Sequence, residues 1–340
     1  MPEAILTQAI DRVSDGHDLS ADEAAAVLRE IMEGHASEVQ TAAFLIALRA
    51  KGETVSEVAG LARTMRELAV PVVVNGDIVD TAGTGGGRST FNVSTTAAFV
   101  AAGAGCRVAK HGGRSNTSQC GSADVLEALG ARIDPPPEKV AACVEEVGFG
   151  FMFAPAHHGA MKHVAPVRRE LAVRTAFNLL GPLTNPAGAR RQVIGVSEPR
   201  FLETVAGALA ELGTERALVV SSDDGFDEFS ASGETHVVEV DAGTLSSYSV
   251  TPEHVGLERA ADGAVGAGTP DENAVVLRSV LEGAQGTERS LTVLNAGGAI
   301  YAAGRVPDLE AGARQAEESI DSGAAKEVLE RFVEHTWRKA

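Results

Sequence analysis

Residues 192–222 read QVIGVS, EPRFLETVAGALAELG and ERALVVSS, and they limit the possible folds more than any other stretch. The outer pieces are short β-rich runs and the middle is an apolar-periodic helix, all within about thirty residues. Two strands joined through a helix run parallel, with a right-handed crossover. A parallel sheet needs helices against it, so the chain reads as α/β with a mostly parallel central sheet flanked by helices.

Further β-rich runs at 78–81, 106–109 and 150–153 supply more strands, and those at 236–240 and 246–250 extend the sheet. The first seventy residues carry no strand signal. Ser20-Ala-Asp-Glu23, Ser37-Glu-Val-Gln40 and Thr54-Val-Ser-Glu57 each match a capping box ahead of an apolar-periodic run. Helices are predicted near 3–13, 21–33, 38–50 and 55–69, and Pro71 ends the last. This makes a small all-helical domain, 1–73, to which the helical and turn-rich stretch 160–190 returns. Residues 74–159 and 191–340 form the larger α/β domain, helical again from about 271. A ligand cleft between the two lobes is expected.

The formal charge of −18 over 340 residues disfavours partners that are themselves anionic, nucleic acid and acidic membrane alike. A polyanionic substrate would need a basic pocket inside an acidic exterior. Cys106, Cys120 and Cys143 show no Cys-x-x-Cys spacing; two of them lie in apolar stretches and read as small buried hydrophobes. No basic region followed by an apolar run opens the chain, and nothing approaches the ~18 apolar residues of a membrane span. A cytoplasmic protein is expected.

Chemistry concentrates in residues 79–124, VDTAGTGGGRSTFNVSTTAAFVAAGAGCRVAKHGGRSNTSQCGSAD. Glycines let backbone N–H groups close on phosphate oxygens, and a helix start adds unpaired donors. The turn at 82–88 has neither dinucleotide nor Walker spacing. Followed by Asn92-Val-Ser-Thr95, it reads as an anion cradle, with Ser94 and Thr95 as N-caps or phosphate contacts. Lys110-His-Gly-Gly-Arg-Ser-Asn-Thr-Ser118 reads as a loop at a strand's carboxyl end, its Lys110 and Arg114 supplying charge. A lone His111 reads as packing or bonding to backbone. Asp223-Asp-Gly-Phe-Asp-Glu228 suits Mg²⁺, because hard cations bridge carboxylates to phosphates. The run His157 to His163 lacks zinc spacing and suits an aromatic or carboxylate substrate, with Arg168 as its fork. The chemistry indicated is displacement at a phosphorylated centre, driven by placement and charge neutralisation.

Six segments together identify a family. They are 83–95, 110–124, 152–186, 224–228, ENAVVLRSVLEG (272–283) and LNAGGAIYAAG (294–304). Over nearly its whole length the chain resembles the anthranilate phosphoribosyltransferases. The resemblance implies a homodimer that moves the 5-phosphoribosyl group from phosphoribosyl pyrophosphate (PRPP) to the amine of anthranilate. It implies that Gly83 touches both substrates. Gly86, Gly87, Thr90, Asn92, Val93, Ser94 and Thr95 would contact PRPP. So would Lys110, His111, Gly112, Gly113, Arg114, Ser115, Asn116, Thr117, Ser118 and Ser122. Gly113, His158 and Arg168 would meet anthranilate, and Ser94, Asp227 and Glu228 would hold Mg²⁺. No residue is assigned as acid or base; Lys110, Ser94 and Glu228 position and neutralise.

The chain departs from the family pattern at three places. The aspartate of GTGGD is missing from a loop one residue shorter, Gly113 replaces an asparagine, and His157-His158-Gly159-Ala160 stands for Tyr-His-Pro-Ala. These leave two alternatives: a transferase of the same fold with another aromatic amine or base as acceptor, and a non-catalytic paralogue that binds nucleic acid.

Overall fold

The computed structural model describes residues 3–115, 119–261 and 265–338, so Asn116, Thr117 and Ser118 lie outside the described residues. Four helices come first: α1 (Ala4–Ser14), α2 (Ala21–Met32), α3 (Glu38–Lys51) and α4 (Val55–Glu67). Ser20–Glu23 and Thr54–Glu57 close full capping boxes. At the third expected box only half forms. Ser37 accepts the Gln40 N–H, but the Gln40 amide turns away to the backbone of Glu3, tying α3 to the start of α1 instead.

Beyond them run β1 (Val79–Gly83), α5 (Val93–Gly103), β2 (Val108–Gly112), α6 (Ser122–Ala128), α7 (Pro137–Val147) and β3 (Phe149–Phe153). The connection to β4 (Arg191–Gly195) contains α8 (Ala154–His157), α9 (Ala165–Leu171) and α10 (Phe177–Leu183). Then come α11 (Leu202–Glu211), β5 (Arg216–Ser222), β6 (Thr235–Asp241), β7 (Thr244–Val250), α12 (Pro270–Leu281), α13 (Thr287–Ala302), α14 (Leu309–Asp321) and α15 (Ala324–Trp337). The seven strands form one sheet in the order β3-β2-β1-β4-β5-β6-β7. The first five run parallel, and β6 and β7 antiparallel.

Strand alternation sorts the apolar residues into two layers. Leu218 and Val220 face one side, where they join a core with α5, α13, α14 and α15. Within that layer the Phe99, Phe149 and Phe332 rings meet, with Phe149 edge-on to Phe332 at 4.8 Å between centroids. Ala217 and Val219 face the other side, sharing a core with α11 and with Leu6, Leu28, Phe44 and Met65 of the first four helices. Phe177, Leu180 and Leu183 of α10 belong to that second core. No helix among the described residues is long and apolar enough to cross a membrane.

Candidate active site

Loops leaving the carboxyl ends of β1, β2, β3 and β5 converge on one cleft of about 390 Å³. They meet where strand order reverses around β1, the position at which open α/β sheets take ligands. Arg88, Lys110, Arg114, Arg168 and Arg174 line it along with Asp227 and Glu228. The acidic chain therefore does carry a locally basic pocket.

The glycine turn after β1 is laced to its neighbours. Thr84 N–H donates to Gly195 O at 2.8 Å, Gly85 N–H to Asp227 Oδ2 at 2.9 Å, and Arg88 N–H to Gly225 O at 2.7 Å. Gly195 permits this, since a Cβ there would collide with the Asp227 backbone. Among the described residues the Gly86 and Gly87 N–H groups bond to nothing and line the cleft. The Arg88 guanidinium stands 5.0 Å over the Phe226 ring.

Helix α5 starts differently from expectation. Asn92, left-handed at φ 69°, is the N-cap and makes no side-chain cap bond. Its amide instead donates to Cys120 O and accepts from Asn273, tying Cys120 to α12. Ser94 and Thr95 lie in the first turn rather than capping it. Val93 and Thr95 are buried, and among the described residues neither lines the cleft.

Lys110, His111 and Gly112 correct a second expectation. They lie in β2, because that strand runs past its expected end, and Lys110 is buried. Its ammonium donates to Thr81 O and lies 3.3 Å from both Thr81 Oγ1 and Ser94 Oγ. Burial pushes Lys110 down to about 8, against the pull of Asp80 and Glu228. Asp80 is wholly buried and accepts from Asn185 Nδ2 at 2.7 Å and His111 N–H at 3.1 Å. Arg114 is committed elsewhere too. Its Nη1 reaches Asp124 at 2.7 Å and Glu127 at 2.5 Å, with the guanidinium 5.8 Å from the Phe153 ring. Asp124 also accepts the Ser115 and Gly121 N–H groups, which folds this loop back onto α6 at Ser122.

Glu228 accepts from Thr90 Oγ1 at 3.2 Å and from the Ser94 N–H at the positive end of α5. Burial, then the adjacent Asp227 charge, pushes it up to about 8. Burial raises Asp227 as well. Two adjoining carboxylates that resist ionisation fit a hard divalent cation, which would relieve both desolvation and repulsion. The Ser94 hydroxyl is a third oxygen beside them.

The far end of the cleft is aromatic and histidine-rich. His111 and His158 are buried with ring centroids 5.1 Å apart. His111 Nδ1 lies 3.2 Å from Gly181 O, while among the described residues His111 Nε2 lacks a hydrogen-bond partner. Arg168 stands 5.3 Å over the Phe177 ring, and no carboxylate among the described residues pairs with it. A Cβ at Gly113 or Gly159 would meet nothing within 4 Å, so both departures leave room.

The histidines predict an acid-sensitive fold. Burial, the largest cause, holds His158 down to about 4 and His111 down to about 3, below the ordinary 6.5. Between those values the unfolded chain binds more protons than the native one. The stability due to their neutral burial is complete above pH 6.5 and lost as pH falls. Each histidine contributes roughly 1.4 kcal/mol per pH unit in that window. Urea unfolding at pH 6.5 and 5 should show a loss of roughly 3 kcal/mol from the pair, halved in His158→Asn. Equal slopes in variant and wild type would refute the assignment.

Comparison with known proteins agrees with this geometry. A model of the glycosyl transferase family helical bundle domain matches residues 7–69, and one of its a/b domain matches 75–326. An anthranilate phosphoribosyltransferase of Rubrobacter xylanophilus is 54% identical over 99% of each chain, and one of Moorella thermoacetica 52% over 97% of this chain and 98% of its own. The chain belongs to the anthranilate phosphoribosyltransferase family. The crystal structure of the Thermus thermophilus member superposes with a TM-score of 0.92 at 47% identity, covering 97% of this chain and 99% of that one. The Saccharomyces cerevisiae member, solved in complex with PRPP and Mg, gives 0.89 at 28% identity over 98% of both.

Within this family frame, sequence reasoning missed Arg174, Asn178 and the buried Asp80–Asn185 pair. All fall in or against segments it had quoted, yet Asp80 reads as an ordinary strand residue. Only the fold reveals that its carboxylate is buried beside Lys110.

Proposed function

We propose that this chain transfers the 5-phosphoribosyl group of PRPP to the amine of anthranilate, releasing pyrophosphate, the second step of tryptophan biosynthesis. One observation carries the reading. Arg168 on Phe177, which no carboxylate among the described residues pairs with, lines one end of a cleft whose other end is a bare glycine turn beside the Asp227 and Glu228 carboxylates. That arrangement suits an aromatic carboxylate at one end and a phosphate ester at the other.

The anthranilate carboxylate pairs with Arg168, and its ring lies near Phe177 and His158. The amine lone pair then attacks C1′ of the ribose as the bond from C1′ to the pyrophosphate oxygen breaks. The oxygen leaves with that electron pair, and the amine afterwards loses a proton. An aryl amine is nucleophilic without a strong base, so placement carries the rate. Gly86 and Gly87 N–H groups face the departing phosphates. Asp227, Glu228 and the Ser94 hydroxyl would hold Mg²⁺, which would neutralise charge on the leaving group. Lys110 acts through Ser94 and Glu228.

The same reading includes a cytoplasmic homodimer and lobes of 1–73 with 160–190 against 74–159 with 191–340. The apolar Ile5, Val39 and Ile46, exposed on α1 and α3, suit contact with a second copy.

Loss of anthranilate fluorescence with PRPP and Mg²⁺ tests the activity, and no loss would refute it. Arg168→Ala should raise the anthranilate KM about tenfold or more, the worth of a charge-assisted pair, and leave the PRPP KM nearly unchanged. Equal rises in both constants would remove Arg168 from the acceptor site.

A further inference from the structure

Arg174 follows Ala172, a residue held left-handed at φ 52° where α9 ends. That bend carries the chain from the helix bearing Arg168 to the rim of the glycine turn. Arg174 Nη1 donates to Gly85 O at 2.9 Å, and its Nε lies 3.3 Å from Glu198 Oε1. Its carbonyl accepts from Arg49 Nη1 at 2.9 Å, which braces the segment from α3. Ser197 Oγ also donates to Gly85 O, at 3.0 Å.

The neighbouring glycine makes the contact specific. Gly86 has φ +86°, and a Cβ built on it would fall on Arg174 Nη1. The guanidinium therefore occupies the space that any side chain at 86 would fill. From the opposite side Asp227 holds the Gly85 N–H. The peptide units around Gly85 are thus gripped at both N–H and C=O. The next two N–H groups, Gly86 and Gly87, have no partner among the described residues, and both glycines line the cleft. A nest of N–H groups favours an anion only while its peptide planes keep their direction.

We propose that Arg174 is a positioning residue for the ribosyl donor: it holds the Gly85–Gly87 turn in the shape that presents backbone N–H groups to the pyrophosphate. It acts through the turn, as Asp227 does from the other face, and the inference rests on the function proposed above. An arginine serving only as a surface partner of Glu198 would be indifferent to what stands at position 86.

The test is calorimetric binding of PRPP with Mg²⁺ to the full chain, alongside steady-state kinetics and unfolding midpoints. Wild type, Arg174→Gln, Arg174→Lys, Gly86→Ala and the Gly86→Ala/Arg174→Gln double variant are compared. Arg174→Gln should weaken PRPP binding about tenfold or more, the scale of a lost charged hydrogen bond. Its PRPP KM should rise in step, with the anthranilate KM at saturating PRPP and the midpoint little changed. Arg174→Lys should restore part of the affinity, because an ammonium reaches the Gly85 carbonyl but not Glu198 as well. Gly86→Ala should cost affinity by expelling the guanidinium, and in the double variant the two losses should fall short of multiplying. Backbone strain at residue 86 is common to both backgrounds and cancels in that cycle.

Unchanged PRPP affinity in Arg174→Gln, or losses that multiply, would overturn the proposal. Should Arg174→Gln unfold, Arg174→Lys paired with Gly86→Ala decides by the same cycle. Failure of wild type to take up PRPP is a separate outcome, and it would sink the function itself.

Discussion

Glu228→Gln is expected to lower kcat/KM by roughly 10²–10³-fold, the usual loss when one element of charge stabilisation is removed from an active site. The carboxyl lies at the start of α5, beside Asp227 and within reach of Thr90 and Ser94. Glutamine keeps its shape and can still accept from Thr90, so the fold should persist. Free of ligand, the variant should even be the more stable protein. Because folding raises this carboxyl from 4.5 to about 8, the native state binds its proton more tightly than the unfolded chain does. The burden of its charge is absent below pH 4.5 and complete above pH 8, so the variant's advantage must widen across that window. Magnesium alone should stabilise wild type against unfolding, by about 2.7 kcal/mol at a hundredfold excess over Kd, and have far less effect on the variant. Equal magnesium shifts in both would show that the ion is held elsewhere.

Lys110→Met should destabilise the protein by roughly 3–5 kcal/mol, the cost of leaving buried charge without its partner. Sequence alone suggests an exposed phosphate-binding lysine, whose removal would barely affect folding. The structure instead places the ammonium between Thr81 and Ser94, with Asp80 and Glu228 supplying the opposing charge. Methionine fills the same volume and satisfies none of these groups. Denaturant melts without substrate measure the loss, and it should shrink toward acid pH as Asp80 takes up a proton. An unchanged midpoint would mean that the lysine serves only the ligand.

Local signals were legible wherever one segment determines its own conformation. The capping boxes at Ser20 and Thr54 mark true helix starts. The strand–helix–strand reading of 192–222 corresponds to β4, α11 and β5, paired in parallel. Signals that depend on distant partners were not legible. Gln40 completes no box because Glu3 lies nearby in space. The ion pairs of Arg114 with Asp124 and Glu127 form only because α6 folds beside it. Arg174 lies within a segment quoted for its resemblance, but only the fold sets its guanidinium against Gly86, which follows it in space and precedes it by far in the chain.

The apolar layer that runs from Leu6 and Phe44 through α11 to Val219 has a mechanical corollary. α4 packs on α11, which in turn packs on β5 and β6, and all belong to one apolar cluster. Grease shared across a joint lets surfaces slip but resists prising them apart. Any movement of these helices would have to proceed by small repackings against α11, because a wide swing would bare Val205 to solvent.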